Sequence, residues 1–105
     1  MATLNCVSYE KTDIMYAYFD NQKWYVLKHI CKALELKSFN TNKIPKEYLS
    51  YMYIPSKRFS QRVVIINEKG LQIMFSSTHK PNAKGLSIKL ELNWDLTLKI
   101  AQSHI

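Results

Sequence analysis

The sequence is poor in the residues that permit sharp turns, covalent crosslinks or metal clusters. Its 105 residues include two glycines, three prolines and two cysteines. Two cysteines cannot form a disulfide framework and neither lies in a Cys-x-x-Cys pair, so we expect Cys6 and Cys31 to be reduced thiols. His29 and Cys31 resemble a metal-ligand pair, but i, i+2 spacing on a helix directs the two side chains about 200° apart. The sequence therefore predicts no metal site.

Long apolar runs and catalytic motifs are also missing. No stretch approaches the ~20 consecutive apolar residues of a membrane span, and residues 1–10 lack the charged start and apolar run of a secretory signal. We therefore expect an intracellular protein with no membrane partner. Two glycines exclude a Gly-rich phosphate loop, and there is no Gly-x-Ser-x-Gly or His-Glu-x-x-His motif. Because no nucleophile is paired with a base, the sequence predicts neither an enzyme nor a cofactor.

The positive charge, in contrast, is abundant and unevenly distributed, with a formal net charge of +7. Residues 1–20 carry one Lys against three acids, residues 21–62 carry nine Lys or Arg against two acids, and residues 63–105 carry five against three. Since a solvated surface usually mixes both signs, this asymmetry favours an anionic partner. Nucleic acid is the first candidate, and an acidic protein surface or simple solubility are the alternatives.

The N-terminal half predicts a β-hairpin followed by a helix. Tyr16–Phe19 and Lys23–Leu27 are aromatic and β-branched runs, and the Asp20–Gln22 segment between them has the chemistry of a hairpin turn. From Leu27 the apolar residues recur at helical spacing, with Lys28, Lys32 and other polar residues on the outer side. The apolar stripe consists of Leu27, Ile30, Cys31 and Leu34.

The central segment predicts a loop, a strand and a second helix. Residues 37–60 have weak periodicity and two prolines, so we interpret them mainly as loop, with one or two helical turns within Lys46–Met52. Arg62–Ile66 is a β-branched run that is typical of a strand buried on both sides. Asn67 has the position of a helix N-cap, the helix ends near residues 76–78, and Pro81 opens a further turn.

The tail has an apolar residue at every second position from residue 86 to residue 100. A helix would spread these side chains over all its sides, whereas a strand would place them on one face. The pattern therefore predicts a strand or a hairpin with a bend near residues 93–95. The alternating residues are Leu86, Ile88, Leu90, Leu92, Trp94, Leu96, Leu98 and Ile100.

These elements predict one α+β domain over residues 1–105. Its small antiparallel sheet would combine the N-terminal hairpin, the central strand and the alternating tail, and two or three short helices would pack against it. An unpaired strand as long as the tail would invite association, so a homodimer through the tail is a second expectation.

The candidate nucleic-acid-binding residues are cations of the first helix, the following segment and the start of the central strand. Cations neutralise phosphates, and the two arginines of the chain can also engage phosphate or guanine with two hydrogen bonds. Taken singly, an exposed Lys is ordinary solvation, and Tyr48, Tyr51 and Tyr53 would more often be packing than stacking residues. The cluster as a whole favours nucleic acid. The candidates are Lys28, Lys32, Lys37, Lys43, Lys46, Lys57, Arg58 and Arg62.

Four pieces of the sequence, in order, resemble the BRO N-terminal domain of large insect DNA viruses and phage antirepressors. They are Tyr18–Val26, His29–Leu36, Val64–Leu71 and the segment from Phe75–Ser77 to Lys80–Lys84, and the match covers roughly residues 14–85. In that family the pattern usually continues along a helix toward a tryptophan, whereas here the alternation predicts a strand.

The resemblance implies a DNA-binding module that acts in viral or phage gene regulation or on host chromatin, in the host nucleus or cytoplasm. We therefore expect binding of DNA, with RNA and single strands left open. The rival expectation is a protein-interaction module that acts on a host protein through its apolar tail.

Overall fold

The part of the chain that the structure describes forms five antiparallel strands and four α-helices, which confirms the α+β class. The computed structural model describes residues 4–78 and 80–103. Along the sheet the strands follow the order β1-β2-β3-β5-β4. The elements are β1 (Asn5–Tyr9), β2 (Thr12–Phe19), β3 (Gln22–Val26), α1 (Leu27–Ala33), β4 (Leu49–Pro55), β5 (Ser60–Asn67), α2 (Glu68–Ser77), α3 (Asn82–Lys89) and α4 (Trp94–Ser103), with 3₁₀ turns at Thr41–Lys43 and Lys46–Tyr48.

The predicted hairpin is confirmed as the β2–β3 pair. Phe19 is paired with Gln22, and the two residues between them, Asp20 and Asn21, have φ angles of 51° and 63°. Positive φ at both central residues is the geometry of the type I′ turn, whose twist matches that of the strands it joins. The short strand β1, which the sequence did not indicate, adds a further hairpin on the outer edge of β2.

Apolar side chains cover both faces of the sheet centre. On one face, Ile14, Tyr25 and Ile66 belong to the main core, which is completed by residues of the helices. On the other face, Val26 and Ile65 belong to a smaller cluster. Strand β5 contributes to both clusters, so the predicted burial of both its sides is confirmed.

Helices α1 and α2 follow the predicted patterns. The predicted stripe of α1 is buried. At the start of α2, the Asn67 side-chain oxygen accepts a hydrogen bond from the Gly70 backbone N–H at 2.9 Å, which confirms the N-cap. The helix ends at Ser77, as the sequence predicts, and α3 begins directly after Pro81.

The strand prediction for the tail is wrong, because residues 86–89 belong to helix α3, residues 94–100 belong to helix α4, and residues 90–93 form the turn between them. Glu91, with φ at 61°, breaks the alternating run, and the Asn93 side chain accepts a hydrogen bond from the Leu96 backbone N–H at the start of α4. The alternating apolar residues therefore do not share one face. Leu86, Leu90 and Leu92 are buried, whereas the exposed set consists of Ile88, Leu96 and Leu98.

The loop prediction for residues 37–60 is also partly wrong. Residues 49–55 form β4, which pairs with β5 along its whole length and is an outer strand of the sheet. The predicted helical turn is present as the 3₁₀ turn Lys46–Tyr48. With α3 and α4 included, the α-helices number four rather than two or three in the described residues.

Candidate nucleic-acid interface

A groove between α1 and β5 collects four of the eight predicted cations. Lys28 and Lys32 line it from α1, Lys37 from the segment after α1, and Arg62 from β5. The groove encloses about 520 Å³, and its other lining residues are apolar or uncharged. No carboxylate of residues 4–78 and 80–103 lines it, so within this part of the chain the four positive charges have no neutralising neighbour in the groove. We call this feature the cationic groove.

The local structure of α1 explains why its lysines face this groove. Because Leu27 and Cys31 are buried against the core, the i, i+4 pair Lys28 and Lys32 is left on the exposed side of the helix. The Lys28 ammonium donates a hydrogen bond at 2.7 Å to the Gln61 side-chain oxygen, which connects the helix to β5 across the groove.

The end of α1 returns the chain to the same groove. Glu35 adopts a left-handed conformation with φ at 59°, and the Leu36 backbone N–H donates a hydrogen bond to the Cys31 carbonyl at 2.8 Å. This is the Schellman ending of a helix, which reverses the chain within two residues. Lys37 follows directly and lines the groove beside the helix that it leaves.

On β5, Arg62 lies against an exposed aromatic residue of β4. The guanidinium carbon of Arg62 is 4.0 Å from the centre of the Tyr51 ring. Tyr53 is the cross-strand partner of Arg62, so it shares the same face of the sheet. Tyr51 and Tyr53 are 59% and 67% exposed. We call these two residues the tyrosine pair.

A second cavity of about 360 Å³ lies next to the cationic groove. Val64 lines both cavities, and Tyr51 lines the second. Lys46 and Asn42, from the 3₁₀ turns that precede β4, also line this cavity. A fifth predicted cation therefore shares a cavity with Tyr51.

The remaining predicted cations do not line the cationic groove. Lys57 and Arg58, in the turn between β4 and β5, line a separate cavity of about 660 Å³ together with Met52, Tyr53 and Ile54. Met52 and Ile54 alternate with the tyrosine pair along β4, so they point to the opposite face, and Tyr53 borders this cavity as well. Lys43 is exposed in the 3₁₀ turn Thr41–Lys43 and lines none of these three cavities.

Sequence reasoning missed the contribution of Gln61. Its contact with Lys28 joins residues 33 positions apart, and no local pattern indicates such a pair. The tyrosine pair was visible in the sequence as aromatic residues between cations. Its exposure follows only from the position of β4 as an outer strand, which the loop interpretation of this segment obscured.

Two titratable groups of α1 are perturbed by their surroundings. Burial lowers the pKa of His29, and the positive charges of Lys28 and Lys32 lower it further, whereas Asp13 raises it. The neutral form fits the geometry, since the His29 Nδ1 atom accepts a hydrogen bond from the Met15 backbone N–H at 3.1 Å. Burial also raises the pKa of the Cys31 thiol, and Cys6 is a separate, exposed thiol.

Chemically, the surface offers cations, aromatic rings and amides. Within residues 4–78 and 80–103, no three His, Cys, Asp or Glu side chains lie close enough together to hold a metal ion. In the same part of the chain, no helix is both long and apolar enough to cross a membrane. No family model matches the sequence, and neither curated proteins nor solved structures include a similar protein. The fold and the site define an α+β domain with a cationic groove.

Proposed function

We propose that this protein binds nucleic acid through the cationic groove and the adjoining tyrosine pair. The observation that carries the proposal is the presence of four cations, from three segments of the chain, in one groove to which the described residues contribute no carboxylate. Like charges held close together repel each other, and an anionic polymer in the groove would offset that repulsion. Phosphates would bind Lys28, Lys32, Lys37 and Arg62, and Lys46 would extend the path.

The resemblance to the BRO N-terminal domain supports the same function, with DNA as the expected ligand in a viral or phage regulatory role. The best-matching piece, Val64–Leu71, has a structural explanation in this chain. Asn67 caps α2, Gly70 allows close contact with Ile66, and Leu71 is buried. These residues therefore support the fold, and the binding role belongs to the surface cations.

The salt dependence of binding tests the proposal directly. If about five phosphates are engaged, log affinity falls with log salt at a slope of about −4.5, or about −0.9 per phosphate for duplex DNA. The measurement is a fluorescence anisotropy titration of duplex DNA at several salt concentrations. A wild-type slope near zero would overturn the proposal.

Two double variants provide a matched comparison, because each removes two positive charges. Lys28→Ala with Lys32→Ala removes two cations of the cationic groove, and we expect the slope to become shallower by about 1.8. Lys57→Ala with Arg58→Ala removes two cations of the β4–β5 turn, and we expect the slope to remain close to that of the wild type. Equal effects of the two variants would contradict the assignment to the cationic groove.

The exposed apolar residues of the last two helices favour a second candidate function. Ile88 is 60% exposed, and Leu96 and Leu98 are each 44% exposed. Large apolar side chains left in water are available for contact with another protein. In this second proposal the protein binds another protein, either a host factor or a second copy of the chain, through α3 and α4.

A further inference from the structure

The tyrosine pair is an aromatic surface that the fold leaves open. Tyr51 and Tyr53 are separated by one residue on β4, so their side chains emerge from the same face about 6.7 Å apart along the strand. Both rings are more than half exposed. Packing of the core does not account for rings in this position, because apolar surface left in water contributes nothing to the hydrophobic stabilisation of the fold.

The tyrosine pair also lies beside cations. Arg62, which lines the cationic groove, lies against the Tyr51 ring, and Lys46 lines the second cavity together with Tyr51. A strand of nucleic acid bound to these cations would lie next to the tyrosine rings. Its phosphates would contact the lysines while its bases faced the rings.

We propose that unpaired bases stack on Tyr51 and Tyr53, which makes single-stranded nucleic acid the substrate class of this surface. This inference rests on the proposed function, since the cationic groove supplies the phosphate contacts. A duplex keeps its bases stacked inside the helix, where rings on a sheet surface cannot reach their faces. Stacking on aromatic side chains is tolerant of sequence because every base has a flat π face. A single strand therefore gains affinity here that a duplex does not.

The test compares three fluorescent probes of about 12 units, a length within the range of ~4–16 nucleotides bound by known single-strand modules. The probes are a thymine single strand, a duplex and an abasic strand that keeps the phosphates but lacks the bases. With the wild type, we expect the thymine strand to bind at least about 10-fold more tightly than the abasic strand, since stacking of one base contributes a factor of about 5 to 150.

Variants of the tyrosine pair assign that difference to the two rings. Tyr51→Ala with Tyr53→Ala should lower affinity for the thymine strand about 10-fold or more and leave affinity for the abasic strand within about 2-fold. Tyr51→Phe, which keeps the ring, should bind like the wild type. The matched control is Tyr18→Ala, because Tyr18 is 52% exposed and lies near a cation, Lys23, but belongs to β2, which is separated from β4 by two other strands of the sheet.

The possible results separate this inference from the proposed function. If the wild type binds the thymine and abasic strands equally, with a steep salt dependence, stacking is overturned and phosphate binding stands. If the wild type binds none of the three probes, the proposed function fails and the inference fails with it. If Tyr18→Ala lowers thymine-strand affinity as much as the double variant does, the assignment to the tyrosine pair is overturned. Circular dichroism spectra and melting curves verify that each variant is folded.

Discussion

Glu35 and Glu91 occupy equivalent positions at the ends of two different helices. Each is the middle residue of a Leu-Glu-Leu sequence, and each adopts a left-handed conformation, with φ at 59° and 61°. After Glu35, the Leu36 N–H bonds to the Cys31 carbonyl, and after Glu91 the Leu92 N–H bonds to the Ser87 carbonyl at 2.9 Å. The chain thus ends α1 and α3 with the same Schellman motif, but with glutamate where glycine is usual.

Replacing either glutamate with glycine should therefore stabilise the fold. A left-handed conformation costs a residue with a Cβ about 1–2 kcal/mol in the folded state, and glycine avoids this cost. Glycine also makes the unfolded chain more flexible, which lowers the free energy of unfolding by about 0.5–1 kcal/mol. For Glu35→Gly and Glu91→Gly we expect a net gain of up to about 1 kcal/mol each in the free energy of unfolding, measured in urea. Glu→Ala at the same positions keeps the Cβ and serves as the control. A gain from alanine equal to that from glycine would contradict the strain at these positions.

The two glycines of the chain differ in how well their surroundings would accommodate a Cβ atom. A Cβ at Gly70 would lie 2.6 Å from Cγ1 and 3.0 Å from Cδ1 of Ile66, a fully buried residue, and 3.1 Å from the Tyr48 Cβ. At Gly85 the close atom is the Tyr9 hydroxyl oxygen at 2.6 Å, which is the far end of a flexible side chain. Both glycines lie in helices, where alanine is otherwise preferred.

We therefore expect Gly70→Ala to lower the free energy of unfolding by about 1–3 kcal/mol, as overpacking of a core does. Gly85→Ala should change it by less than about 1 kcal/mol, since the Tyr9 ring can move and the helix gains propensity. Thermal and urea unfolding of the two variants measure the difference. Equal stabilities would mean that Ile66 can move aside without loss of packing.

His29 predicts a dependence of stability on pH. Its pKa in the folded protein is lower than its ordinary value of 6.5, chiefly through burial and then through Lys28 and Lys32. The unfolded chain therefore binds the proton more readily. The contribution of His29 to stability is complete above pH 6.5 and is lost as the pH falls through 6.5 toward the folded pKa.

The variant His29→Asn isolates this effect, because the asparagine side-chain oxygen can replace Nδ1 as the acceptor for the Met15 N–H and does not titrate. We expect the wild type to lose stability relative to His29→Asn as the pH is lowered from 7.5 to about 5. His79 and His104, which lie outside the described residues, are common to both proteins and cancel in the comparison. Parallel stability curves would show that folding does not lower the pKa of His29.

Local signals explain which elements could be predicted from the sequence. The Asp20-Asn21 turn and the Asn67 cap each depend on a short stretch of sequence. The boundaries predicted for the hairpin, β5 and α2 therefore lie within a few residues of the observed ones. The prediction for the tail was wrong because an apolar residue at every second position is also the pattern of a strand. The structure of the tail is decided instead by the left-handed residue Glu91, which ends α3, and by the Asn93 cap, which begins α4. Strand β4 was missed because its pairing with β5 is a tertiary contact.

The candidate site could be predicted only in part, for a similar reason. Lys28 and Lys32 are recognisable as neighbours on one face of α1. Their approach to Arg62 depends on how α1 packs beside β5, which no local pattern records. Lys57 and Arg58 are close to Arg62 in sequence, yet the β4–β5 turn carries them to a different cavity. The binding role that the sequence predicts for Lys57 and Arg58 is tested by the Lys57→Ala, Arg58→Ala double variant, for which the cavity assignment favours the opposite result.

Substitutions in α4 and the turn before it separate the core from the exposed apolar surface. Leu92 is buried, so Leu92→Lys should destabilise the fold by several kcal/mol, about 2–5, because it buries a charge. Leu96→Lys with Leu98→Lys should leave the free energy of unfolding within about 1 kcal/mol of the wild type, since both side chains are largely exposed.

The same double variant tests the second candidate function by sedimentation. If the protein self-associates through α3 and α4, the wild type sediments as a dimer at high salt and the double variant as a monomer. A wild-type dimer that persists unchanged in the double variant would place the contact elsewhere. A wild-type monomer would remove the homodimer and leave only a different protein as the partner.

The contact between Arg62 and Tyr51 predicts that charge alone does not account for the role of Arg62. Arg62→Lys keeps the positive charge but replaces the planar guanidinium that lies 4.0 Å from the Tyr51 ring centre. Such a cation–π contact is worth about 0.5–1 kcal/mol at exposed sites, and its loss frees both side chains. We therefore expect Arg62→Lys to weaken single-strand binding by about 2- to 5-fold without changing the salt slope. Arg62→Ala should weaken binding further and make the slope shallower by about 0.7, because a phosphate contact with a single strand is lost.

Arg58→Lys is the control for this comparison, since Arg58 lies in the β4–β5 turn and outside the cationic groove. We expect it to bind like the wild type in anisotropy titrations across the same salt range. If Arg62→Lys also binds like the wild type while Arg62→Ala does not, Arg62 acts as a point charge and its contact with Tyr51 is incidental to binding. The two residues act together if Arg62→Lys weakens binding in the wild-type background but has no effect in a Tyr51→Ala background. In that background the contact between the guanidinium and the ring is already absent, so lysine has no contact to break.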